Sequence, residues 1–105
     1  MNFQERFPPD DGIWMFSDPR RAQAKAFEVY GPTAILMRSK TKDKKYSIKS
    51  PEGKTINFGQ MDYEDYTKHR DPTRRLNYLN RSLKIKGDWK KNGYSPNNLS
   101  RNILW

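Results

Sequence analysis

Tyr46-Ser47-Ile48-Lys49-Ser50-Pro51-Glu52-Gly53-Lys54-Thr55-Ile56-Asn57-Phe58 is the stretch on which the fold turns. Apolar residues alternate at Tyr46 and Ile48 and again at Ile56 and Phe58, the period of a half-buried strand. Ser50-Pro51-Glu52-Gly53 between them has turn chemistry, because proline presets one backbone angle and glycine accepts a positive one. Upstream, the apolar-rich run 33–39 adds a third strand, joined through residues 40–45. The prediction is a three-stranded antiparallel meander. Such a sheet is marginal alone and needs a helix on one face.

Helices are expected on both sides of it. Asp18-Pro19 reads as an N-cap followed by a first-turn proline. Ala22, Ala26, Val29 and Tyr30 then share a stripe with Phe27 at its edge, and Gly31-Pro32 stops the helix. Downstream, Tyr63 and Tyr66 mark a short helical turn within 61–69. Asp71-Pro72 repeats the cap-and-proline signal, opening a helix that runs to about Lys86 before Gly87. Leu76, Leu79 and Leu83 form its main apolar stripe. Tyr78 and Ile85 fall on the opposite side between Arg74 and Arg81, and a helix apolar on two sides touches two things. The leucines are read as core, packing on Ile48, Ile56 and Phe58. The Tyr/Ile/Arg side is read either as a partner face or as a surface covered by the chain's own ends.

The fold class is therefore small α+β: the meander packed with two or three helices, as a compact domain over 18–87. Residues 1–17 carry Phe3, Phe7, Ile13, Trp14, Met15 and Phe16 without a period, broken by Pro8-Pro9-Asp10-Asp11-Gly12. They read as a disordered tail or as an extended arm whose aromatics dock on a neighbour. Residues 88–105 form an aromatic tail with turn signals at Asn92-Gly93 and Ser95-Pro96-Asn97-Asn98. Trp14, Phe16, Leu104 and Trp105 are the expected docking residues, buried at least partly against another chain.

The chain has 105 residues, with 33% hydrophobic and 31% charged, and a mean hydropathy of −1.16. That allows one domain with a modest core, and 13% aromatics argue against complete disorder. Net charge is +9, which favours polyanionic or acidic partners. There is no cysteine, so disulfides and thiolate metal sites are excluded. No apolar run approaches a membrane span, and the N-terminus lacks a signal core.

The densest cationic segment, 68–91, holds nine Lys and Arg against two Asp. Arg70, Arg74, Arg75, Arg81, Lys84, Lys86, Lys90 and Lys91, with Tyr78, are the candidate residues for a partner or for nucleic-acid phosphates. Tyr78 and Trp89 are placed to stack on single-stranded bases. A second basic stretch, 38–54, would line strand edges and loops. Asp62, Glu64, Asp65, His69 and Asp71 have metal-ligand chemistry. Yet the first three equally suit a helix start and Asp71 a cap, so no catalytic, cofactor or metal site is expected. No nucleophile–base pair, P-loop or dinucleotide fingerprint occurs.

Phe58-Gly59, then Tyr63-Glu64-Asp65-Tyr66-Thr67-Lys68-His69-Arg70-Asp71, then Arg74-Arg75 and a final Leu104-Trp105 resemble a family. It is a group of short, largely uncharacterised basic proteins of nucleocytoplasmic large DNA viruses. The shared features are a strand ending in Phe-Gly, a Tyr-x-Asp-Tyr-Thr-x-His-x-Asp motif, a basic helix and a C-terminal Leu-Trp, over about residues 45–105. The resemblance implies a viral setting and brings no catalytic residues. In that setting Gly59 turns the chain out of the third strand. Tyr63, Tyr66 and His69 pack on the sheet or the basic helix, and Asp65 pairs with Arg74 or Arg75. Two functions follow as expectations. One is a non-enzymatic virion protein of minor capsid or cement type bridging larger viral subunits. The other is a sequence-non-specific nucleic-acid binder used in genome packaging or condensation. Either would act in the virion and, during assembly, in the host cytoplasm or viral factory.

Overall fold

Asp18, Asp71 and Ser95 each precede a proline, and each accepts a hydrogen bond from a backbone N–H at the start of a helix. Those three caps mark the principal helices in the computed structural model, which describes residues 1–105. In chain order the helices are α1 (Phe3–Arg6), α2 (Pro19–Tyr30), α3 (Tyr66–His69), α4 (Pro72–Leu83) and α5 (Pro96–Leu99). Strands β1 (Met37–Arg38), β2 (Lys44–Lys49) and β3 (Thr55–Gln60) lie between α2 and α3. A π-helical turn, Ser100–Leu104, continues α5.

The sheet is the expected antiparallel meander, in the order β1-β2-β3. Tyr46 faces Phe58 and Ile48 faces Ile56 across β2 and β3. The 50–53 turn closes as read, with Gly53 at φ 84°. The first strand is shorter than the run 33–39, and Gln23 explains why. This side chain of α2 is buried, donates from Nε2 to Ala34 O (2.8 Å) and accepts at Oε1 from Leu36 N (2.9 Å). Ala34 O and Leu36 N thus bond to a side chain instead of to β2, and pairing begins only at Met37. The buried stripe of α2 is Ala22, Gln23 and Ala26 with Tyr30 half-buried, while Val29 and Phe27 point outward.

The largest departure concerns the ends, which are not extended arms. The radius of gyration is 13.0 Å, the value of a fully compact chain of about this length. Phe7 and Ile13 from one end and Leu99, Ile103 and Leu104 from the other lie in the core with Tyr46, Ile48 and Phe58. At the N-terminus, Asn2 and Glu5 form a capping box. The Phe3 ring meets Phe7 at 5.3 Å and Trp14 at 6.4 Å, Phe7 meets Tyr46 at 5.6 Å, and Trp14 Nε1 donates to Pro8 O. Trp14 and Phe16 are half-buried within this chain. At the C-terminus Leu104 is 1% exposed. Gly59 is what admits it: a Cβ there would stand 2.8 Å from Leu104 Cδ1, at φ +83°.

The C-terminal segment takes the place expected of the leucine stripe. Leu76 and Leu83 are 59% and 46% exposed and Leu79 is half-buried. The opposite side of α4 turns inward: Ser82 is buried and Tyr78 stacks on Trp105 at 4.2 Å and 10°. Arg101 ties the tail to α4 by donating to Leu79 O and to Ser82 Oγ. The helix ends at Leu83 with Lys84 as its cap. Leu104→Ala is expected to cost about 2–5 kcal/mol, as for a core leucine. Leu83→Ala should stay within about 0.5 kcal/mol, as for a surface site. Urea melts of the two variants check this; a larger loss at Leu83 would contradict the assignment of faces.

Candidate functional site: a basic cleft and the helix beside it

The site is built on a buried ion pair. Lys45 and Asp65 are 2% and 1% exposed, with Nζ 3.1 Å from Oδ2. Nζ also donates to Tyr63 O at 2.6 Å. Asp65 Oδ1 accepts from the Thr67 hydroxyl. Because that hydroxyl spends its proton on the carboxylate, it must accept from Asp18 N (2.8 Å) and from Ser17 Oγ (3.1 Å). Ser17 in turn accepts from Tyr46 OH at 2.7 Å. Burial pushes the Lys45 ammonium below its ordinary value and Asp65 pulls it partly back. Asp65 thus pairs with Lys45, not with Arg74 or Arg75; the Arg74 partner is Glu64 at 3.3 Å. The reason is placement. Asp65 N donates to Phe16 O, and this turns its side chain into the core ahead of α3.

Above this pair the 63–71 motif positions α4. His69 Nδ1 accepts from Asp71 N at 2.9 Å, and the ring packs on Trp105 at 5.2 Å and Tyr66 at 6.0 Å. Tyr66 is half-buried under the Arg70 and Arg75 guanidinium groups. Tyr63, expected to pack, is 68% exposed; only its carbonyl is held. Asp71 caps α4 through Thr73 N and Arg74 N. The acidic cluster is dispersed among these tasks, and no group of three acidic or imidazole side chains is placed to hold a metal ion.

Between the Lys44–Gln60 end of the sheet, the 63–64 loop, α4 and the C-terminal turn lies a cleft of about 820 Å³. Arg74, Tyr78, Arg81 and Trp105 line it, as do Lys44 and Lys45, which belong to the other basic stretch. Of the remaining candidate residues, Arg75 donates from Nε to Trp105 O at 2.6 Å. Lys84 and Lys86 are exposed beyond the helix, Lys90 lies over Trp89, and Lys91 faces Asp88 at 3.9 Å. Lys90 and Arg101 lie over the Trp89 ring, at 5.5 and 5.7 Å from its centroid. Trp89 is half-buried, its Nε1 donates to Ile85 O, and its carbonyl accepts from Ser95 Oγ and Asn98 Nδ2. Lys44 and Tyr63 were missed as members of the site. The signal was available in part, since Lys44 lies in the second basic stretch and Tyr63 in the 63–71 motif.

Residues 34–82 match a family of unknown function (DUF5754). The matched span contains the meander, the Lys45–Asp65 pair and most of α4. No curated protein and no solved structure matches the chain. No helix is long and apolar enough to cross a membrane.

Asp65→Ala would leave the Lys45 charge buried without its counter-ion. It should cost about 3–5 kcal/mol, read by denaturant unfolding; a cost under 1 kcal/mol would contradict the pair's role. His69 supplies a pH dependence. Burial, and then the Arg74 charge, hold its imidazole below the ordinary 6.5, and protonation would cost Nδ1 its bond from Asp71. The unfolded chain therefore binds the proton first, so stability is full above about pH 6.5 and falls as pH drops below it. Melting temperature against pH should show this step in the natural chain and lose it in His69→Gln. An identical profile in both would exclude His69 as its source.

Proposed function

We propose that the protein is a non-enzymatic, basic virion component of minor capsid or cement type that bridges larger subunits through the outer face of α4. The observation that carries this reading is the Leu76–Leu83 ridge. The two leucines stand seven residues apart on one face, both largely exposed, with half-buried Leu79 between them. Exposed Arg70 precedes the helix, and Lys84 and Lys86 follow it. Phosphate contact has no use for leucines, whereas a protein interface has an apolar centre and a polar rim. The fitting partner is a protein surface that is apolar at its middle and acidic at its edges. The likeness of the 58–71 motif and the Leu-Trp ending to proteins of large DNA viruses supports the viral setting. A place in the particle, and in the host cytoplasm or viral factory during assembly, belongs to the same proposal.

A second reading, sequence-non-specific nucleic-acid binding, is favoured by the charge bookkeeping. Only six of 21 Lys and Arg meet a carboxylate. The rest form a field that phosphates would satisfy with release of counterions.

Quantitative proteomics of purified particles, before and after nuclease stripping of the genome, separates the two. The bridging role predicts a fixed ratio to the coat subunit that survives nuclease, and loss of incorporation in Leu76→Asp/Leu83→Asp with an unchanged melting temperature. Absence from particles, or departure with the genome, would overturn it.

A further inference from the structure

The cleft is a surface distinct from the leucine ridge, on the other flank of α4. Its volume of about 820 Å³ lies within the range of small-ligand sites. Lys44 and Arg81 line it with no carboxylate partner, and the carboxylate in its lining, Glu64, is already held by Arg74. The Lys45 charge is balanced from below by Asp65. The cleft is therefore left with uncompensated positive charge.

Its aromatic content is equally specific. Tyr63 stands at the lining, 68% exposed, while the fold uses its backbone carbonyl. Tyr78 and Trp105, stacked on each other, form part of the wall. Asn77 adds an amide that can donate and accept. Cations suit a phosphate, an uncommitted tyrosine ring suits a flat base, and an amide suits a base edge.

We infer that this cleft binds a nucleotide unit, an aromatic base carrying a phosphate, with Tyr63 as the stacking surface and Lys44 and Arg81 on the phosphate. The inference rests on the second reading above, nucleic-acid binding, and gives it a place and a ligand class. The unit comes either from a single strand or from a free nucleotide. Duplex DNA is disfavoured because its bases are already stacked.

The test is fluorescence anisotropy of a labelled oligothymidylate at fixed salt, with an equal-length duplex, thymidine monophosphate and inorganic phosphate as competitors. Tyr63→Ala and Arg81→Gln probe the cleft. Lys49→Glu/Lys54→Glu, at the far end of the β2–β3 hairpin, is the control. The expected result is preference for the single strand and a loss of about tenfold in affinity on removing the Tyr63 ring, as for one base–aromatic stack. Little change is expected in the control. Displacement by the mononucleotide would name free nucleotides as a source, and displacement by oligonucleotides alone would name a strand. Both keep the assignment. If the cleft variants bind normally while the control loses affinity, the cleft assignment falls and polyanion binding stands. If inorganic phosphate competes as well as the mononucleotide, base stacking is refuted. If no nucleic acid binds even at low salt, both fall together.

Discussion

Burying one lysine organises this molecule. Taking the Lys45 ammonium out of water costs several kcal/mol unless it is paired and hydrogen-bonded. The chain meets that requirement with Asp65 and the Tyr63 carbonyl. Meeting it fixes the 63–67 segment against β2, and Thr67 and Ser17 then fix the entry to α2 through Asp18 N and Tyr46 OH. The lysine stem lies beside Gly59, and the same glycine admits Leu104. One residue thus joins the N-terminal segment, the sheet, the motif and the C-terminal turn. The polar chain is directional, from Tyr46 through Ser17 and Thr67 to the carboxylate, which leaves each hydroxyl proton a single destination.

The local signals in the sequence were legible because they are self-contained. Alternation at Tyr46/Ile48 and Ile56/Phe58 gave the meander, whereas the facing pairs, Tyr46 with Phe58 and Ile48 with Ile56, are legible only in the structure. Asp18-Pro19 and Asp71-Pro72 gave two helix starts to the residue. Ser95-Pro96 carries the same signature with a serine cap, yet reads as a turn because Asn97-Asn98 follow it and no apolar period continues. The helix there is one turn long and is held by tertiary contacts. Gln23 illustrates a second limit. A polar residue on an otherwise apolar stripe gives no sign that it will bond Ala34 O and Leu36 N and shorten a strand.

The face of α4 was misread for a physical reason. Three leucines outrank a tyrosine, a serine and an arginine on any transfer scale, so pattern alone turns them inward. Helix burial is decided by what is available to cover each side. Here Leu99, Ile103 and Leu104 already close the sheet, and Trp105 offers the Tyr78 side a stacking surface. The leucines are left outward as a consequence of the ends folding home. Of the candidate residues, Arg74, Tyr78 and Arg81 converge on the cleft. Leu104 is taken up by the core, and Trp105, half-buried, lines the cleft wall.

The sheet core is closed by the chain's own C-terminal turn and not by the leucine stripe of α4. Native-state amide hydrogen exchange tests it most directly, because exchange reports which segments open together. Amides of β2, β3 and residues 99–105 are expected to exchange only by the same global opening, while those of α4 exchange through a cheaper local one. Rapid exchange of 99–105 alongside an α4 protected to the level of the sheet would contradict it.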